Sequence, residues 1–477
     1  MEEAWRLFEA SHIFLVVLRG KERKLAEHSS VNLDSSDKSL VRGFQWAKRQ
    51  ALAYVFRGDP VGDWFEAALP GREAFCMRVV AHQATGGQVL GLADCVRNML
   101  RRFAENTAAS RDWCSYWEID RRNLPCPADY RDDNYFWYNL PANFDALDCC
   151  FRQYLWTGDR IYLEDSAFRY FYSKTVAEYV AQWDKDADGI PEHYPEYGFR
   201  GIATYNEAVP HPLVGGDLVA AQFGAYRAYA NILEITGSDK LAEAYRAKAE
   251  ALRQKYRAEW WAGDATRFYS LMRQDRSFSA EWFGLTNFFP LYFGLVENDK
   301  QAQSVLDDVV QHRRSLNVEE RSYLPAILYK YGRHEVAYEE LMEHFDPSYE
   351  RKEYPEVSYA AIGSVVTGMM GIEPDSRERT IATCSRLTDK TGWVEMTNIP
   401  IFDNLVTIKH FENAKTQLLN VSGLPFYWKA AFSGEAEELL VDGENWSALQ
   451  GRGLNGQPES WVIVRVGRGE SRSVGMP

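Results

Sequence analysis

From about residue 40 to 375 the chain repeats one pattern, and that pattern limits the folds open to it. Apolar residues recur at spacings of three and four in Phe44–Phe56, Val89–Phe103, Phe144–Trp156, Phe168–Trp183, Leu218–Ile235, Leu241–Trp260, Trp282–Val296, Ala302–His312, Tyr323–Tyr331, Glu335–Phe345 and Ser358–Gly371. Each run predicts a helix with an apolar stripe that must be covered by a neighbour. Glycine and proline punctuate the runs at Gly58-Asp-Pro60, Gly86-Gly87, Thr157-Gly-Asp159, Asp188-Gly189, Thr236-Gly-Ser238 and Tyr331-Gly332. Turns this short make consecutive helices antiparallel neighbours. Paired helical hairpins closing into a ring satisfy both conditions.

The pattern changes at each end. Residues 1–40 read as a separate N-terminal segment, with a possible strand at Ile13–Leu18 and a polar, loop-like stretch at Ser29–Ser39. After about residue 376, Trp393–Met396, Leu405–His410, Thr416–Val421 and Trp461–Val466 alternate or are β-branched, which predicts strands. The expected organisation is therefore an N-terminal segment 1–40, a helical domain 41–375 and a small β module 376–477. No low-complexity linker separates the last two, so the β module is expected to pack on the ring.

Composition narrows the function. Of 477 residues, 46% are hydrophobic, enough for a large core. A formal charge of −14 argues against a nucleic-acid backbone as partner. The seven cysteines are odd in number and lack zinc-site spacing, so they read as buried thiols of a reducing compartment. No signal peptide or membrane span is evident, and the expectation is a cytoplasmic protein. No phosphate loop, dinucleotide fingerprint or serine-nucleophile elbow occurs, and no cofactor is expected.

The densest chemistry lies in Tyr130–Asn143, which holds five aromatics, two adjacent carboxylates and three asparagines. Rings beside acids and amides suit a sugar: the rings stack on C–H faces and the polar groups read hydroxyls. Trp113, Tyr116, Trp117 and Glu118 lie just upstream. The competing reading is an aromatic helix junction whose polar tips are satisfied locally. A second candidate is Tyr205-Asn-Glu207, in a loop stiffened by Gly198, Gly201 and two prolines and followed by His211. Partial burial beside Tyr205 would raise the pKa of Glu207 and suit it to donate a proton. The third is Glu350, Glu353 and Glu356 before the last helix, with Glu356 the preferred water-activating base. For both acids the alternative is a charged loop or a helix N-terminus. Arg78 and His82, four apart, would share a helix face and bind an anion or hydroxyl, or else form a salt bridge. Asp184-Lys-Asp-Ala-Asp-Gly189 matches the first half of a calcium loop. Its twelfth position is Pro195 instead of a bidentate glutamate, so a capped turn is the favoured reading and no metal is expected.

With these residues in place, 40–375 resembles the six-hairpin, (α/α)6-toroid glycosidases. The resemblance rests on Asp188-Gly-Ile190, Gly216–Ala221, Ala242–Ala249, Tyr329–Gly332, Val357–Gly363 and Gly371–Asp375. It is architectural more than motif-level. It implies an (α/α)6 toroid with a C-terminal β module, an acid on the loop after Asp-Gly-Ile at Glu207, and a base near the last hairpin at Glu356. Asp217 stands in reserve as the acid. The layout also resembles a toroid family containing exo-β-glucuronidases, which implies a terminal β-linked glucuronic acid. The accessory jelly-roll modules of rhamnosidases are absent from the sequence, which counts against rhamnose.

The resulting expectation is a glycoside hydrolase that removes a terminal sugar from an oligosaccharide or glycoside, with inversion. Trp117, Asp132, Asp133, Trp137, Tyr205 and Glu353 would hold the sugar. Arg78, His82, Arg200 and His211 would read a uronate carboxylate. The alternatives are a toroid lyase or sugar isomerase, with Tyr205 or His211 as base, and a non-catalytic glycan-binding protein.

Overall fold

The computed structural model describes residues 29–477 apart from 69–70, 210, 264–266, 298, 347, 349–354 and 454–455. The possible strand at Ile13–Leu18 and the acids Glu350 and Glu353 lie outside the described residues.

Twelve helices among the described residues build the ring: α1 (Lys38–Ala53), α2 (Met77–Val89), α3 (Ala93–Glu105), α4 (Pro141–Thr157), α5 (Ser166–Lys174, continued by Thr175–Tyr179 and Val180–Trp183), α6 (Gly216–Ile235), α7 (Asp239–Glu259), α8 (Leu285–Tyr292), α9 (Lys300–His312), α10 (Leu324–Lys330), α11 (His334–His344) and α12 (Pro355–Gly363, continued by Ser364–Met369). The even-numbered helices are the inner layer. Each packs on the next, α2 on α4, α4 on α6 and α6 on α8. The Tyr331 hydroxyl, just past α10, donates to Leu291 O on α8 at 3.0 Å. The ring closes where α12 meets α2, and Gly86 permits that approach: a Cβ there would stand 2.2 Å from Tyr359 O. The odd-numbered helices lie outside and return the chain, so the inner helices all run one way.

Burial follows this arrangement. The inner α6 is enclosed on nearly all sides, from Gly216 through Ala225, whereas its outer partner α7 buries only Ala242, Tyr245, Ala249, Leu252 and Tyr256. An outer helix needs one stripe and an inner helix needs apolar or small residues all round.

The β module contains two sheets. One is antiparallel, ordered 32–35, 393–401, 404–411, 415–422, 471–475, 438–441 and 444–447. The other is ordered 373–375, 380–384, 426–433, 458–466 and 449–452, with 380–384 and 426–433 parallel. All four predicted strands are present. The strand Asn32–Ser35, in the stretch expected to be loop, pairs with Trp393–Ile401 instead. The module is locked to the ring: Trp156 Nε1 donates to Pro400 O at 2.7 Å, and the buried His410 ring bonds Met370 O at 3.0 Å. No helix among the described residues is long and apolar enough to cross a membrane. All seven cysteines are buried free thiols.

Candidate active site

Because the inner helices run parallel, their N-termini gather at one end of the ring. Arg78, Asp217 and Glu356 are each the second residue of an inner helix, and Asp145 lies in the second turn of another. Helix N-termini present unpaired N–H groups and positive partial charge, so carboxylates collect there. Burial pushes the Asp145 carboxyl up to about 7 against the nearby Arg152, and the Asp217 carboxyl up to about 6. Both position Tyr205. Its hydroxyl meets Asp145 Oδ2 at 3.2 Å, and its backbone N–H donates to Asp217 Oδ2 at 2.6 Å. Asp217, held in reserve as an acid, is thus a structural acceptor for the loop that carries Glu207.

That loop is laced to the aromatic segment upstream. Leu140 N–H donates to Ile202 O at 2.8 Å, and Asn139 and Ile202 form a parallel bridge. Trp137 stacks on Phe199 with centroids 5.4 Å apart, and its indole N–H donates to Asn139 Oδ1 at 2.8 Å. The two segments singled out in the sequence therefore share one end of the ring.

Glu207 projects at this mouth. Its side chain is open to solvent, yet the surrounding protein desolvates it enough to raise its pKa. Arg78 opposes that rise, Glu319 and Glu118 add to it, and Arg72 opposes it. Arg78 is the hub. Burial works against its charge, and Glu356, then Tyr323, Glu319 and Cys76, together raise its pKa well above the usual arginine value. Glu319 Oε2 lies 3.5 Å from Arg78 Nη2, and Glu356 is fully enclosed. Glu207 and Glu356, far apart in sequence, thus act on the same guanidinium.

A second acid pair was not foreseen. Arg72 Nη1 bonds Glu118 Oε1 at 2.7 Å and lies 3.6 Å from Asp129 Oδ2. Burial first, then the nearby Glu118 carboxylate, push the Asp129 carboxyl up to about 8; Arg72 opposes. Glu207 feels Glu118, and Asp129 feels Glu207, so the three carboxyls form one cluster. Glu118 was noticed only for its aromatic neighbours. Asp129, three residues before the adjacent Asp132-Asp133, carried no signal of its own.

Other expected residues are placed differently. His82 shares a face of α2 with Arg78, but it is half-buried, stacked on Tyr323 at 3.4 Å and bonded to Ser322 Oγ at 2.8 Å. Burial, then Arg78 and Arg152, hold its pKa well below the usual histidine range, so it is neutral and has no charge to offer a uronate. Arg200 is tied to Asp112 at 2.9 Å. His211 is exposed, with its Nδ1 3.2 Å from His193 Nε2. Asp133 is held by Arg111 at 2.9 Å and by the Tyr130 hydroxyl at 2.5 Å. Asp132 is exposed, and its bonds go to Arg131 and the Asn134 N–H of its own hairpin. Trp117 is buried between Tyr138 and Tyr205. Of the sugar-binding residues expected among the aromatics, Trp137 presents the more open ring.

In the calcium-like loop, Asp184, Asp186 and Asp188 each bring a carboxylate oxygen within 4.8 Å of the others. Asp184, Asp186 and Asp188 accept N–H groups of Asp188, Gly189 and Ile190, and Arg276 and Lys255 pair with Asp186 and Asp188.

Residues 149–353 match the family model described as the bacterial alpha-L-rhamnosidase 6 hairpin glycosidase domain. No curated protein sequence matches the chain. Among solved structures, a GH78 family rhamnosidase of Bacillus sp. GL1 superposes with a TM-score of 0.61 at 13% identity, covering 83% of this chain and 41% of that one. The Streptomyces avermitilis alpha-L-rhamnosidase complexed with L-rhamnose gives 0.59 at 13% identity, covering 94% and 42%. A putative kojibiose phosphorylase from the human microbiome gives 0.57 at 11% identity, covering 92% and 63%. The chain spans about two-fifths of the length of these rhamnosidases. At such identities the likeness carries the fold and not the reaction. In architecture, then, the chain is similar to the six-hairpin glycosidases: an (α/α)6 toroid with a C-terminal β module.

Proposed function

We propose that the chain is a glycoside hydrolase that removes a terminal sugar from a glycan or glycoside. The observation that carries this reading is the Arg78 hub, whose charge acts on Glu207 and is acted on by Glu356 and Glu319. Glu207, with its raised pKa, donates a proton to the glycosidic oxygen as the bond to the anomeric carbon breaks. Glu356 takes the proton of the water that adds to that carbon. Arg78 stabilises the carboxylate side of the pair. Inversion is the expected outcome, with the two carboxyls about 6.5–9.5 Å apart to admit the water. Glu319 shares Arg78 and is the more exposed acid, so it is the competing base.

The substrate follows from the charges. The four cations expected to read a glucuronate are engaged or neutral: Arg78 by Glu319 and Glu356, Arg200 by Asp112, His82 by burial, and His211 beside His193. A mouth rich in carboxylates favours hydroxyl donors over a uronate. This supports a neutral sugar ahead of β-linked glucuronic acid. The rhamnosidase neighbours make an aryl α-L-rhamnoside the first probe.

The test is an aryl glycoside panel, glucuronides included, with proton NMR of the first-formed anomer. Glu207→Gln should lose most rate on poor leaving groups, where the proton matters most. Glu356→Gln should lose rate on all of them, and Glu319→Gln should lose less. Equal losses for Glu207→Gln across leaving groups would remove Glu207 as the acid. A first-formed anomer of retained configuration would remove the inverting mechanism.

A further inference from the structure

A large cavity lies away from the carboxylate mouth. It has a volume of about 1020 Å³ and lies at the opposite end of the ring, among the C-terminal turns of the inner helices and the strand Glu373–Asp375. Ligand pockets run to roughly 300–1,000 Å³, so this one admits a sugar of more than one ring. His82 and Tyr323 form part of its floor. The charge of Arg78 also acts on both rings of this stacked pair.

Four cations line this space; Arg152 pairs with Asp148 and Lys429 lies over the Trp461 ring, which leaves two, Lys330 at the end of α10 and Arg227 in α6. Neither forms an ion pair or a side-chain hydrogen bond among the described residues, although Lys330 lies within range of the Glu373 charge and Arg227 acts on it as a like charge. The acids around them are already taken. Asp148 pairs with Arg152 at 2.7 Å, Glu297 with Arg253 at 2.6 Å, Asp375 with Arg377 at 2.6 Å and Glu373 with Arg386 at 3.8 Å. Glu378 remains, exposed at the rim. Two like charges in one cavity are stabilised by an anion between them.

Gln88, Gln153 and Tyr323 also line the cavity, but their unpartnered polar atoms are closed off behind its wall. Phe151 and Tyr292 line the wall and offer apolar faces.

We propose that this cavity is a second binding site, for a sugar that carries one negative group, a carboxylate or a phosphate. Lys330 and Arg227 hold the anion, and Phe151 and Tyr292 pack on the apolar face of the sugar ring. This site is independent of the reaction proposed at the mouth.

Isothermal titration calorimetry of the whole chain with D-glucuronate, D-glucose 6-phosphate, D-glucose and inorganic phosphate tests it. One of the two acidic sugars should bind at least about tenfold tighter than glucose, as one charge-assisted hydrogen bond provides. Lys330→Met and Arg227→Ala should each weaken that sugar by about tenfold or more. Arg227 is exposed, so its variant folds even if Lys330→Met does not. Whichever acidic sugar binds tighter identifies carboxylate or phosphate as the anion. Binding of neither acidic sugar, equal binding of glucose, undiminished binding in Arg227→Ala, or inorganic phosphate matching the sugar phosphate would each overturn the proposal.

Discussion

Asp129→Asn tests the unforeseen acid pair directly. In the folded chain, burial and the neighbouring Glu118 hold the Asp129 proton up to a pKa of about 8, with Arg72 only partly offsetting them. An unfolded aspartate ionises near ~3.9. Between about pH 5 and 7 the folded chain therefore keeps a proton that the unfolded chain has lost. The folded pKa is the higher one, so this proton's contribution to stability is complete below about pH 4 and is lost as pH rises towards about 8. The slope is one proton, about 1.4 kcal/mol per pH unit, or ~2.7 kcal/mol over those two units. The amide of the variant cannot ionise and would lose nothing over that range from this source. Equilibrium urea unfolding, followed by tryptophan fluorescence at about pH 5, 6 and 7, should show the wild type losing ~2.7 kcal/mol relative to Asp129→Asn. Parallel stability curves for the two proteins would show that Asp129 is ionised in the fold and that the acid pair does not share a proton.

Further outcomes follow from other parts of the ring. Glu340 is fully buried and accepts from Arg321 at 2.6 Å and Arg313 at 3.1 Å; Glu340→Ala should cost about 3–5 kcal/mol in urea unfolding, because it removes one partner of a buried pair. Gly86→Ala places a methyl 2.2 Å from Tyr359 O where the ring closes, and should cost about 1–3 kcal/mol or more by the same assay. Trp137→Ala removes the stacked ring at the mouth, and steady-state kinetics should show a several-fold rise in KM with kcat little changed.

The helices were legible because burial imposes a period. Gly216–Ile235 and Asp239–Glu259 differ in how much of their circumference is covered, and both patterns are visible in the residues themselves. Four strands of the β module declared themselves by alternation for the same reason. Asn32–Ser35 did not, since four residues with serine and asparagine at their ends carry too little alternation to register. At the site, Glu207 and Glu356 stood out through their loops and flanking prolines. Asp129 did not, because what distinguishes it is its distance from Glu118 and Arg72, and only the folded chain sets that distance. His82 shows the converse: its spacing from Arg78 was readable, but its burial under Tyr323, which removes its charge, was not.

The pairing of Asn32–Ser35 with Trp393–Ile401 sets an order of events during synthesis. Ser35 Oγ donates to Trp393 O across 358 residues of chain. At roughly 5–20 residues per second, the ribosome takes about 20–70 s to deliver the partner strand. Until then Asn32–Ser35 lacks this partner, while the twelve helices, which precede Trp393 in the chain, can already form. The ring can therefore assemble first, and the strand Trp393–Ile401 then comes back to fasten its beginning.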